Sequence, residues 1–143
     1  MDIALFAPSP VFMPLMLRAV SAGFPSPADD HVENEIDLQA LLVRNRPATF
    51  LVRVSGDSMI GARLFDGDLA VVDRSLVPRS GDVVVVDIDG ERSFKVWSRD
   101  GGKVKLTFAN PQYPAFHVDD DAIIEIWGVL SSSISVARRS GRS

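Results

Sequence analysis

Beyond residue 48 the chain is a succession of short runs rich in Val, Ile and Phe, at residues 49–54, 69–73, 82–88, 91–98, 103–108 and 122–136. Each has the length and the β-branched content of a strand. Turn signals separate them: Asp66-Gly67-Asp68, Arg79-Ser80-Gly81, Asp89-Gly90 and Asp100-Gly101-Gly102. Asp89-Gly90 between two such runs predicts a two-residue hairpin, since both residue types tolerate the positive φ that such a turn demands. Six short strands with almost no helical periodicity among them predict a mainly β, compact body over residues 48–137. Ser131-Ser132-Ser133 in the last run reads as a solvent face or a bend.

The first third has a different pattern. Residues 1–22 are apolar but cut by Pro8, Pro10 and Pro14, which stop any helix before it gathers three turns. An extended arm is expected, whose apolar side chains need a groove or a partner to cover them. Ala19-Val20-Ser21-Ala22 imitates a signal-peptidase site, but Asp2 stands where a secretory signal is basic and Arg18 sits near the end of the apolar run. No run is long enough to predict a membrane-spanning helix. Residues 23–47 read as a stiff connector, Gly23-Phe24-Pro25-Ser26-Pro27, followed by a short helix. Ser26 and Pro27 suit a helix start, the acids at 29–37 suit its first turns, and Val32, Ile36, Leu38, Leu41 and Leu42 give a partial apolar face. Asp37 offers a second start, and Asn45-Arg46-Pro47 ends the helix.

With 143 residues, one domain plus an arm or tail is expected, large enough to bury a core without disulfides. There is no cysteine, which fits a reducing cytoplasm and excludes thiolate nucleophiles and thiolate metal sites. The formal net charge of −4 is not that of a protein gripping DNA by its phosphates, so direct sequence-specific DNA binding is not expected. The basic tail at 138–143, with Arg138, Arg139 and Arg142, reads as a solvated end.

Candidate chemistry is then narrow. The histidines are His31, in the acidic segment, and His117, on an expected short strand after Tyr113-Pro114; both read as structural, and no metal or cofactor is implied. There is no Gly-x-Ser-x-Gly elbow and no phosphate-cradling glycine loop. Ser55-Gly56-Asp57-Ser58-Met59-Ile60 follows a strand-like run. A serine on such a turn can expose its hydroxyl beside backbone N–H groups, which is the anatomy of an oxyanion hole; a plain helix cap is the simpler reading. In Glu91-Arg92-Ser93-Phe94-Lys95-Val96-Trp97, alternation puts Phe94 and Val96 on one face and Ser93, Lys95 and Trp97 on the other. Lys95 is either a guard on an edge strand or a buried general base. A solvated lysine is only about 0.1% neutral at pH 7.5, so a base role requires desolvation.

In this order and spacing the segments resemble the LexA-like self-cleaving serine peptidases, and within them the UmuD branch. Ala22-Gly23-Phe24-Pro25-Ser26-Pro27 is similar to that branch's cleavage site. Residues 55–60 with Asp66-Gly67-Asp68-Leu69 are similar to its nucleophile segment, and Phe94-Lys95 falls at its general base. Ala109-Asn110-Pro111-Gln112-Tyr113 and Trp127-Gly128-Val129 match its closing strands. The resemblance implies Ser58 as nucleophile, Lys95 as base, Ala22–Gly23 as scissile bond, and the Asp57 and Ser58 amides as oxyanion hole. It also implies a cytoplasmic homodimer, stimulation by a RecA filament on single-stranded DNA, and a processed form that joins an UmuC-type polymerase in translesion synthesis. Two departures are Ala22 where the branch often has cysteine, and Val96 where it has a second basic residue. A repressor fragment of the LexA type and a non-catalytic interaction module on the same fold are the alternatives.

Overall fold

The computed structural model describes residues 10–138. Pro8 and the start of the arm, and Arg139 and Arg142 of the tail, lie outside the described residues. The chain divides into two compact units, residues 1–44 and 45–143.

The first unit is a two-stranded antiparallel ribbon, β1 (Phe12–Met16) against β2 (Val32–Asp37), followed by the short helix α1 (Leu38–Leu42). From Phe12 to Met16 the arm is extended, as expected, and Pro14 is accommodated opposite Glu35 because each strand of a two-stranded ribbon is an edge. The apolar side chains of β1 stay largely exposed: Phe12 is 54% exposed.

The helix expected to begin near Ser26 does not form there; residues 32–37 are strand. Val32 and Ile36 share a face at helical spacing, but they also share parity. Val32, Asn34 and Ile36 against Glu33, Glu35 and Asp37 is an alternating pattern as well, and pairing with β1 decides between the two. The helix begins instead at the second start: the Asp37 carboxylate accepts from the N–H groups of Gln39 and Ala40, at 3.0 and 3.2 Å.

The second unit is a six-stranded antiparallel sheet in the order β3-β4-β8-β5-β6-β7. Its strands are β3 (Thr49–Arg53), β4 (Leu69–Asp73), β5 (Val83–Ile88), β6 (Glu91–Asp100), β7 (Lys103–Thr107) and β8 (Ile124–Ile134). The mainly β expectation holds, and all six expected runs are strands. Asp89-Gly90 closes β5 onto β6 with φ of 49° and 84°, and Gly101-Gly102 closes β6 onto β7 with φ of 58° and 82°, two-residue turns with both central residues left-handed. His117 lies on an exposed loop rather than a strand. No helix among the described residues is long and apolar enough to cross a membrane.

Both faces of the sheet are covered, so β5 reads Val83-Val84-Val85-Val86 without alternation. Val83 and Val85 join Val54, Met59, Leu64, Ala70 and Val72 on one face. Val84 and Val86 join Trp97, Leu106 and Val129 on the other. The long strand β8 bulges twice, skipping Trp127 opposite β5 and Ser131 opposite β4. Each extra residue finds another use: the Trp127 carbonyl accepts from Arg74 Nε at 2.9 Å, and the Ser131 hydroxyl donates to the Val71 carbonyl at 3.2 Å.

Candidate active site

After β3 the chain drops Val54 into the first core and turns sharply through residues 55–60. Gly56 takes φ +87°, a value that L side chains avoid, and its N–H donates to Asp66 Oδ1 at 2.8 Å. Met59 and Leu64, both buried to within 2% of complete, plug the turn into the core. Ser58, just before Met59, is half-buried, and neither its hydroxyl nor its N–H meets a hydrogen-bond partner among the described residues. A single 3-10 turn, Ile60–Ala62, follows; it is too short to act through a helix dipole, so any anion stabilisation here comes from individual N–H groups.

A loop after β7 holds this turn from one side. Ala109 N–H donates to the Ser58 carbonyl at 3.0 Å, and Gly61 N–H donates to the Ala109 carbonyl at 2.6 Å. Asn110 Nδ2 donates to the Asp57 carbonyl at 2.9 Å, and the Tyr113 hydroxyl donates to Asp57 Oδ1 at 2.6 Å. This corrects the expectation that residues 109–113 are a closing strand. They are a loop, because their polar groups are spent on the serine turn rather than on a ladder.

Lys95 sits on β6 opposite Val84, on the face that alternation assigned to it, and is 3% exposed. β6 lies between β5 and β7, so Lys95 is not an edge-strand guard. Its ammonium donates to Ser93 Oγ at 2.8 Å and to the Phe94 carbonyl at 3.2 Å, and it faces the rings of Phe108 and Phe116, each 4.6 Å from centroid. No carboxylate pairs with it among the described residues. Burial pushes its pKa below the ordinary 10.5, because the charged form loses its water.

Ser58 lines a cavity of about 360 Å³ together with Val52, Val54, Val85, Ser93 and Phe94. Lys95 does not line it and makes no hydrogen bond to Ser58; Ser93 and Phe94 both line the cavity and accept from the Lys95 ammonium, Ser93 through its side chain. Ser93, Asn110 and Tyr113 had no individual sequence signal for these contacts. Only the shared parity of Ser93 and Lys95 on a strand could have paired the first of them with the lysine.

Ala22 and Gly23 belong to the first unit and lie exposed on the loop joining β1 to β2. The loop is tied internally: Ser21 N–H donates to Ser26 Oγ at 2.8 Å, and Gly23 N–H donates to Ser21 Oγ at 3.2 Å. Its neck is closed by Leu17 N–H on the His31 carbonyl at 2.8 Å and by Arg18 on Asp29 at 2.8 Å. His31 also pairs with Asp29, and these partners hold the Asp29 carboxyl below its usual range.

Comparison with known proteins agrees with this architecture. Residues 14–131 match the family model described as Peptidase S24-like. The chain is similar to Protein SamA of Salmonella typhimurium, 40% identical over 125 residues that cover 87% of this chain and 86% of that protein. It is equally similar to Protein MucA of Escherichia coli, 40% identical over 124 residues covering 85% and 84%. Against the LexA repressor of a Mycobacterium species it is 38% identical over 117 residues, 82% of this chain and 50% of the repressor. The expected likeness to the LexA-like, self-cleaving serine peptidases is thereby borne out, and the chain belongs to the Peptidase S24-like family.

Proposed function

We propose that this chain is an SOS mutagenesis protein that cuts itself between Ala22 and Gly23. Neutral Lys95 takes the proton from the Ser58 hydroxyl as Oγ attacks the Ala22 carbonyl carbon. The oxyanion is met by the Ser58 N–H, with Asp57 as the neighbouring donor. Collapse breaks the bond to Gly23, whose nitrogen receives the proton, and water then hydrolyses the Ala22 ester. Tethering makes the attack intramolecular, so a weak nucleophile suffices.

The observation that carries this reading is the environment of Lys95: a lysine 3% exposed, without a carboxylate, tied through Ser93 to the cavity that Ser58 lines. A desolvated amine that no carboxylate neutralises is suited to proton abstraction. Relatives of the SamA and MucA kind support the mutagenesis role over the repressor role, because they align with this chain over most of both lengths, whereas the repressor aligns over half its own length. In this reading residues 1–22 are the removable arm and residues 23–143 the product. The protein acts in the cytoplasm as a homodimer, a RecA filament on single-stranded DNA promotes cleavage, and the product serves an UmuC-type polymerase.

The test is incubation of the purified chain at pH about 10, and separately with RecA filaments, followed by N-terminal sequencing. A fragment beginning at Gly23 is expected, absent from Ser58→Ala and from Lys95→Ala, and blocked in Gly23→Glu. A fragment that persists in either alanine variant would reassign the roles.

A further inference from the structure

The loop of residues 108–116 touches both halves of the proposed dyad. Phe108 and Phe116 present ring faces to the Lys95 ammonium, while Ala109, Asn110 and Tyr113 bind the serine turn. Phe108 links the two functions, packing on Tyr113 at 5.0 Å and on Phe116 at 5.3 Å between centroids.

We infer that Asn110 is a positioning residue for the oxyanion hole: by holding the Asp57 carbonyl it turns the Ser58 N–H toward the reacting carbonyl, and Tyr113 locks the same residue through its side chain. The inference rests on the proposed self-cleavage and assigns to it two residues that act on the Asp57–Ser58 peptide without touching substrate.

The geometry is that of one peptide plane. In a trans peptide the C=O and the following N–H point in opposite directions, and there is no cis peptide among the described residues. Fixing the Asp57 oxygen toward Asn110 therefore fixes the Ser58 hydrogen away from Asn110. That N–H has no partner among the described residues, as a donor reserved for a transient oxyanion should.

Among the described residues the Asp57 oxygen accepts only one other hydrogen bond, a long one from Ile60 N–H at 3.5 Å, so Asn110 dominates its direction. Asn110 is itself 7% exposed and cannot rotate freely. Its Oδ1 accepts from Gln112 N–H at 3.0 Å, which leaves Nδ2 as the end that must face Asp57. Without these bonds the 57–58 peptide could rotate about its flanking dihedrals and withdraw the donor while the serine side chain stayed in place. Such a change lowers the rate without altering the base.

The experiment measures single-turnover self-cleavage of the full chain across pH 7 to 11 for wild type, Asn110→Ala, Tyr113→Phe and Ser58→Ala, with thermal melting in parallel. Loss of an oxyanion donor costs about a hundredfold to a thousandfold in rate. A misaimed donor is partly retained, so Asn110→Ala should cleave about tenfold to a hundredfold more slowly and Tyr113→Phe several-fold more slowly. The pH midpoint set by Lys95 should stay in place in both. Wild-type rates in both variants would overturn the inference, as would a loss of rate accompanied by a shift of the midpoint toward that of a solvated lysine, which would mean the loop serves Lys95 alone. If Asn110→Ala fails to fold, Tyr113→Phe decides by the same criteria, since it removes one oxygen and keeps the ring packing. Cleavage persisting in Ser58→Ala would sink the proposed function itself, an outcome distinct from a wild-type rate in the positioning variants.

Discussion

Gly61→Ala offers a sharp test of how closely the serine turn must sit on its supporting loop. A Cβ at this position would lie 2.6 Å from the Ala109 carbonyl oxygen and 3.3 Å from its carbon. Gly61 is not among the residues with positive φ, so backbone strain plays no part and the effect is contact alone. An ordinary contact begins near 3.4 Å, so the two segments must separate by about 0.8 Å. The obstacle is backbone on both sides, not the end of a flexible side chain. The same movement stretches the 2.6 Å bond from Gly61 N–H to the Ala109 carbonyl to the limit of hydrogen bonding. Overpacking of this kind costs about 1–3 kcal/mol. For a chain of this size that lowers the melting temperature by about 3–10 °C. The larger effect should be on the reaction, since a displacement of about 1 Å at a reacting group can cost about a hundredfold in rate.

The control is Gly128→Ala. Its Cβ would meet Val72 Cγ1 at 2.5 Å, within the core cluster and not against the loop that holds the serine turn. It should lower the melting temperature while leaving the cleavage rate of the folded fraction near wild type. Differential scanning fluorimetry and the appearance of the Gly23 fragment at pH about 10 provide the two readouts. Cleavage of Gly61→Ala within twofold of wild type, with an unchanged melting temperature, would show that the close apposition of residues 61 and 109 has no consequence for stability or rate.

Two further outcomes follow from other contacts. Burial lowers the Lys95 pKa, so the unfolded chain binds more protons than the folded one between the lowered value and 10.5. The cost of burying the ammonium is full below that window and fades as pH rises through it. Lys95→Met should therefore abolish cleavage yet raise the melting temperature at pH 7, with the gain shrinking toward pH 10.5; a gain independent of pH would argue against a desolvated ammonium. Asp89 occupies φ +49° at the β5–β6 turn, and its Oδ1 accepts from Ile123 N–H at 2.9 Å. Asp89→Ala keeps the left-handed strain and loses the bond, so urea melts should show about 1–2 kcal/mol of destabilisation, and a value near zero would show the turn does not depend on it.

How far the sequence reached depends on whether a signal was local. The strand runs and their turns were legible because alternation and Gly-rich pairs are written within a few residues. β6 even extends two residues past expectation, to Asp100, where Gly101-Gly102 closes the next hairpin. The face carrying Lys95 followed from parity alone. Residues 32–37 misled because their apolar pair fits both periods, and a strand 20 residues earlier settles the matter. The loop at 108–116 was illegible for the same reason. Asn110 and Tyr113 act on Asp57, more than 50 positions away, and nothing in their own neighbourhood announces it. The bulges of β8 likewise arise from pairing with two different partners at once.

The pairing of β1 with β2 has a consequence for what a cut in their connecting loop can achieve. Severing the chain between Ala22 and Gly23 breaks a covalent link but none of the ladder that holds residues 12–16 against residues 32–37. Hydrolysis and departure are therefore separate events. Before the cut the two strands are one molecule and re-pair whenever they part. Afterwards, among the described residues, the peptide is held by a two-stranded ribbon and the few bonds at its neck, an arrangement marginal in water, and each dissociation dilutes it into the bulk. A cut there would set a timer, and the lifetime of the nicked ribbon would determine when the edge of β2 that faces β1 becomes available to a different strand.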